Sequence, residues 1–137
     1  MPLRTIEIET GDYPRATALL EAAVGAREHL PGEELALADS LYELAQLDPD
    51  HRPYDARSLL RRALALRTQR LGADDPAVAD VLEQLAGRLG YDAAAAEAAY
   101  RRALAIRRAH AGPGDPRVVG LLAGLGGLYA LRGRYPE

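Results

Sequence analysis

An all-α fold of six helices in three repeat units is what this 137-residue sequence predicts, on three observations. The segment Arg61-Arg62-Ala63-Leu64-Ala65-Leu66-Arg67 returns forty residues later as Arg101-Arg102-Ala103-Leu104-Ala105-Ile106-Arg107. Around it, two apolar helix patterns alternate at a spacing of 40 or 41 residues. Clusters of proline, glycine and aspartate fall between them. A period of roughly 20 to 50 residues marks stacked supersecondary units, none of which buries its apolar face alone.

The elements follow in order. Residues 4–10 alternate polar and apolar as a short strand would, and are expected to form a loose N-terminal arm over 1–10 ahead of one repeat domain over 11–137. Helices are predicted at about 12–29, 34–47, 54–70, 76–89, 92–110 and 116–132. Ala56, Leu60, Ala63 and Leu64 lie on one helical face, and Arg57, Arg61 and Arg62 fall largely elsewhere, so the period is helical. Breaks are expected at Pro31-Gly32, Asp48-Pro49 with Pro53, Gly72 to Pro76, Gly90, and Gly112 to Pro116. The Asp75-Pro76 and Asp115-Pro116 pairs suit an N-cap followed by a first-turn proline, where the missing N–H costs nothing.

One helix type carries Leu19-Leu20-x-x-Ala23, then Leu59-Leu60-x-x-Ala63, with Ala63-Leu64 matching Ala103-Leu104. The other reads Ala38-Asp39-x-Leu41-x-x-Leu44-Ala45, then Ala79-Asp80-x-Leu82-x-x-Leu85-Ala86, then Val119-Gly120-x-Leu122-x-x-Leu125-Gly126. Small residues at Ala45, Ala63, Ala86, Ala103 and Gly126 are expected to let backbones approach while large neighbours fill the grooves between helices.

Composition narrows the function. The 48% hydrophobic content supports a continuous core. There is no cysteine, His29, His51 and His110 are far apart in sequence, and neither Ser40 nor Ser58 has a histidine nearby in a known motif. No catalytic constellation, metal site or cofactor is therefore expected. The Gly124-Leu125-Gly126-Gly127 run follows no strand and has no Lys-Ser/Thr pair, so it reads as helix packing and not as a phosphate loop. A net charge of −3 disfavours nucleic acid as a partner. The longest apolar stretch, 118–131, is short of the roughly 20 residues of a membrane span. The N-terminus lacks the apolar run of a signal peptide, so a cytoplasmic location is expected. All 17 basic residues are arginine, a usage that suggests a GC-rich bacterial genome.

The repeat resembles the tetratricopeptide repeat family in its long form of about 40 to 42 residues, typified by kinesin light chain. The resemblance runs over residues 11 to 137. It rests on Leu82, Leu85-Ala86 and Leu89, and on Leu122, Leu125-Gly126 and Tyr129, in the first helices of repeats. In the second helices it rests on Gly11-Asp12-Tyr13 with Ala16, Leu20 and Ala23, on Ala56, Leu60 and Ala63, and on Ala96, Tyr100 and Ala103. It implies a right-handed α-α superhelix and a non-catalytic protein-interaction scaffold, a module of a larger bacterial regulatory protein. It further implies a concave peptide-binding row at Asp39, Tyr42 and Gln46, at Asp80, Glu83 and Gly87, and at Gly120, Ala123 and Gly127. Carboxylates there suit a basic or amphipathic peptide.

Arg61, Arg62, Arg67, Arg101, Arg102, Arg107 and Arg108 recur on equivalent helices. They read either as a ladder for an anionic partner or as a solvated face supported by pairs such as Glu97 with Arg101. Gly133-Arg134-Tyr135-Pro136 stands at the same repeat position as Gly11-Asp12-Tyr13-Pro14, so each end carries half a repeat. The helix at 116–132 is apolar nearly all round and is expected to be covered. Head-to-tail self-assembly through Leu121, Leu128 and Leu131 is one alternative function; regulation of an enzyme outside this chain is another.

Overall fold

The computed structural model describes residues 12–47, 55–89 and 92–134, so the expected N-terminal arm and the corner at 48–53 lie outside the described residues. Six helices occur there, with no strand: α1 (Tyr13–Arg27), α2 (Glu34–Ala45), α3 (Ala56–Leu71), α4 (Pro76–Gly87), α5 (Ala93–His110) and α6 (Pro116–Arg134). Each matches a helix expected from the periodicity.

Aspartates set the starts of α3 to α6. The Asp75 side chain accepts from the Ala77 backbone nitrogen at 2.9 Å and that of Asp92 from Ala95 at 3.1 Å. Asp55 and Asp115 accept from the nitrogens of Arg57 and Arg117, each at 2.9 Å. Each satisfies an N–H that the first helical turn leaves without an intrahelical acceptor, and the carboxylate also suits the positive end of the helix dipole. Gly32 and Gly72 stand at φ 81° and 92°, a backbone conformation a side chain disfavours, which explains glycine at those two turns.

The chain forms two compact units, one within residues 1–70 and one within 71–137. In the first, α1 packs on α2, and the buried apolar residues include Leu37, Ala38, Leu41, Leu44 and Ala45 of α2 with Leu60 and Ala63 of α3. In the second, α5 packs on both α4 and α6. Its buried set includes Val78, Ala79, Leu82, Leu85 and Ala86 of α4, Ala96, Ala99, Ala103 and Ile106 of α5, and Val118, Leu121, Leu125 and Leu128 of α6.

Two packing expectations change here. Ala45, Ala63, Ala86 and Ala103 are buried as predicted, whereas Gly126 is exposed and a Cβ there would meet nothing within 4 Å. Leu121 and Leu128, expected on an open end face, are only 4% and 8% exposed. They belong with Val118 and Leu125 to the buried stripe of α6, at spacings of three and four residues. The uncovered apolar side of α6 holds Val119 at 52%, Leu122 and Tyr129, while Leu131, at 55%, lies on the opposite flank. The counterparts of the uncovered side on α4, Ala79, Leu82 and Ala86, are buried.

Candidate functional site

Three arginines at one repeat position organise the polar chemistry of α2 and α4. Arg27, Arg67 and Arg107 are forty residues apart. Arg27 donates to the Ser40 hydroxyl at 2.5 Å and to the Ala36 carbonyl at 3.2 Å. Arg67 donates to the Asp39 carboxylate at 3.0 Å, and its guanidinium lies over the Tyr42 ring, 4.9 Å from the centroid. Arg107 donates to both carboxylate oxygens of Glu83, each at 3.1 Å, and also to Asp80. Arg67 is 8% exposed and Arg107 4%, so neither belongs to a solvated outer face, as the sequence suggested for this arginine set. Their heads are turned inward because a planar guanidinium can bridge acceptors on a neighbouring helix while its stem packs among apolar groups. The hydrogen bonds that Arg107 donates to Glu83, foremost, and to Asp80 hold its guanidinium above its ordinary pKa.

Asp39, Tyr42 and Gln46 share one side of α2, with Gln46 donating to the Tyr42 carbonyl at 3.4 Å. A hollow of about 280 Å³ in this unit is lined by Glu21, Val24, Gly25, Glu28, Leu41, Leu44, Leu59 and Arg62, and contains none of those three.

The second unit assembles more of the predicted row. Gly87 and Gly127 line one hollow of about 410 Å³ together with Ala86, Ala96, Tyr100, Gly124, Leu128 and Leu131. Glu83 and Gly120 line another of about 280 Å³ with Tyr100, Arg117 and Leu121. Tyr100 borders both. Asp80 and Ala123 line neither. In the sequence Tyr100 stands out only as a large residue in the second helix of a repeat; its position between two hollows follows from its glycine neighbours on α6, which the sequence contains without showing which helices pair.

The hollows exist because glycine stands where other residues would fill space. A Cβ on Gly124 would come within 2.7 Å of the Tyr100 ring, whereas one on Gly120, Gly126 or Gly127 would meet nothing within 4 Å. Gly126→Ala is therefore expected to stabilise the fold by about 0.5–1 kcal/mol, the usual gain for a glycine in a helix interior. Gly124→Ala is expected to gain less, since the end of the Tyr100 ring must shift to admit the methyl. Urea unfolding midpoints of the two variants check the contrast.

A separate polar cluster joins α5 to α6 on an exposed edge. Tyr129 donates to Glu97 at 2.6 Å, as do Arg101 at 2.8 Å and Arg132 at 2.6 Å, and Arg101 also donates to the Tyr129 hydroxyl. The i, i+4 pair of Glu97 with Arg101 expected from the sequence is thus present. These bonds, that of Tyr129 first, hold the Glu97 carboxyl at about 2, below its ordinary 4.5. A depressed folded-state value means that the cluster's contribution is complete above the unfolded value and fades as pH falls from about 4.5 toward 2. A carboxyl ¹³C titration is expected to place the Glu97 midpoint near 2; a midpoint near 4.5 contradicts this arrangement.

Among the described residues no group of three or more histidines and carboxylates could hold a metal ion, and no helix is long and apolar enough to cross a membrane. No curated protein matches the chain. The tetratricopeptide repeat model matches residues 50–77, which contain α3, and 78–117, which contain most of α4 and all of α5. Such repeats bind proteins or peptides and are generally non-catalytic. The recurring helix pair, the alanine-lined packing and this match agree, and the chain belongs to the tetratricopeptide repeat family.

Proposed function

We propose that the chain is a non-catalytic scaffold whose second unit binds a segment of a protein partner over Tyr100. The observation that carries this is the convergence of Glu83, Gly87, Gly120 and Gly127, the positions that the family resemblance implies, on two hollows that share Tyr100. Concavity, apolar lining and a few polar groups are what a binding site offers. Asp39, Tyr42 and Gln46 are a second row of the same kind on α2, and Asp80 and Ala123 flank the hollows. A role as a cytoplasmic module of a larger bacterial regulatory protein goes with this reading, supported by the family's general use in protein interaction and by the all-arginine basic composition.

A random peptide display library panned against the native chain tests the reading. Recovered peptides are expected to lose binding to Gly127→Leu, which fills the larger hollow. Peptides that bind both proteins equally place recognition elsewhere.

A second reading, head-to-tail self-association, draws support from the uncovered side of α6, at Val119, Leu122 and Tyr129. A helix of the α1 type, the same type as α5, is what the repeat places against that side. Light scattering over about a hundredfold concentration range decides it. Mass that rises with concentration in the native chain, and stays constant in Leu122→Glu with Val119→Glu, supports self-association; constant native mass ends it.

A further inference from the structure

The chemistry of the partner follows from how the carboxylates of the row are used, an inference that rests on the peptide-binding reading above. Free acids at Asp80 and Glu83 would favour lysine or arginine in a partner. Neither acid is free: Arg107 reaches both from a side chain that is almost wholly buried, while Asp80 and Glu83 remain partly open to water. The positive charge therefore sits beneath the two negative ones. Arg117 lines the same hollow as Glu83, and among the described residues no carboxylate pairs with it. Asp115 is turned to the start of α6, where it accepts from the Arg117 backbone nitrogen. Glu83 and Arg117 thus oppose each other in the lining of the smaller hollow, with Arg107 shared between Glu83 and Asp80, and a charged side chain entering it gains attraction from one sign and repulsion from the other. The larger hollow beside it is walled by Ala86, Gly87, Ala96, Gly127 and Leu128 and bordered by the Tyr100 ring, with no charged group in its lining.

We propose that this groove takes an uncharged segment of a protein partner, anchored by one large apolar side chain beside Tyr100, and that Arg107 sets this preference by neutralising Asp80 and Glu83 from below. Arg107 is a positioning and charge-setting residue: the partner touches the carboxylates and the hollow, and feels the arginine through them. The arginine at this repeat position decides whether the acids on the preceding helix act as cation receptors or as internal ion pairs.

The test pans one random peptide display library against three proteins: the native chain, Arg107→Met and Arg117→Glu. Native-selected peptides are expected to share a position held by Leu, Ile, Phe or Trp, with lysine and arginine no more frequent than in the unselected library. Each variant makes the groove more negative, and its peptides are expected to be enriched in lysine and arginine by about threefold to tenfold, the scale of a partly screened charge pair. Arg117 is on the surface, so Arg117→Glu carries the comparison if Arg107→Met proves unfolded by circular dichroism. A native pool already rich in lysine or arginine overturns the proposal, as does a composition that neither folded variant changes. Peptides that still bind Gly127→Leu reject the groove itself, which separates failure of the site from failure of the charge assignment.

Discussion

Replacing Arg107 by alanine is expected to lower the unfolding free energy by about 2–3 kcal/mol, a large share of what a small domain has. Its guanidinium donates to Glu83 twice and to Asp80, so the change removes three charge-assisted bonds and leaves two carboxylates facing each other. Truncating one partner of a fully buried pair costs about 3–5 kcal/mol. The loss here is smaller because both carboxylates keep contact with water and can rehydrate. Arg67→Ala is expected to cost roughly half as much, because Asp39 is mostly in water while Arg67 is not. Denaturant unfolding of both variants measures the order, and a cycle with Glu83→Gln isolates the coupling. Equal and negligible losses contradict the view that these arginines are internal counterions.

Gly127→Leu is expected to separate stability from binding. Its Cβ meets no neighbour within 4 Å, and leucine favours the helix over glycine by somewhat under about 1 kcal/mol, so the fold is retained or slightly stabilised. The leucine side chain occupies the hollow lined by Gly87, Tyr100 and Gly124. Affinity for peptides selected by the native chain is expected to fall by at least about tenfold, a loss of about 1.4 kcal/mol or more. Isothermal titration with one such peptide gives the affinity, and a thermal melt gives the stability. A variant that is destabilised and unable to bind leaves no distinction between the two effects, so the reading requires that Tm hold while affinity falls.

Much of the fold was legible because the same instructions recur. The Asp-Pro starts at 75–76 and 115–116, the paired glycine turns and the alanine positions each occur at the repeat spacing, and one occurrence supports another. What misled was chemistry without periodic contrast. The helix α6 is apolar on nearly every side, so hydrophobicity alone does not set its rotational phase, and Leu121 and Leu128 are buried instead of lying on an open face. Alignment with α4 carries the missing phase: Val118, Leu121 and Leu125 stand where Val78, Val81 and Leu85 are buried. Arginine is ordinarily a surface residue, so Arg67 and Arg107 read as solvated. Their burial depends on carboxylates 28 and between 24 and 27 residues away, a relation that exists only once the helices pair. Of the predicted row, the glycines found their hollows because an absent side chain is a local fact. The acids lost their expected freedom because ion pairing is a tertiary one.

The peptide-binding reading is tested most directly by titrating ¹⁵N-labelled chain with a peptide selected on the native protein and following backbone amide shifts. Binding in the groove predicts shifts centred on Gly87, Tyr100, Gly120, Gly124 and Gly127, absent in Gly127→Leu. Shifts confined to Val119, Leu122, Gly126 and Tyr129, on the uncovered side of α6, contradict it and make that face the interaction surface.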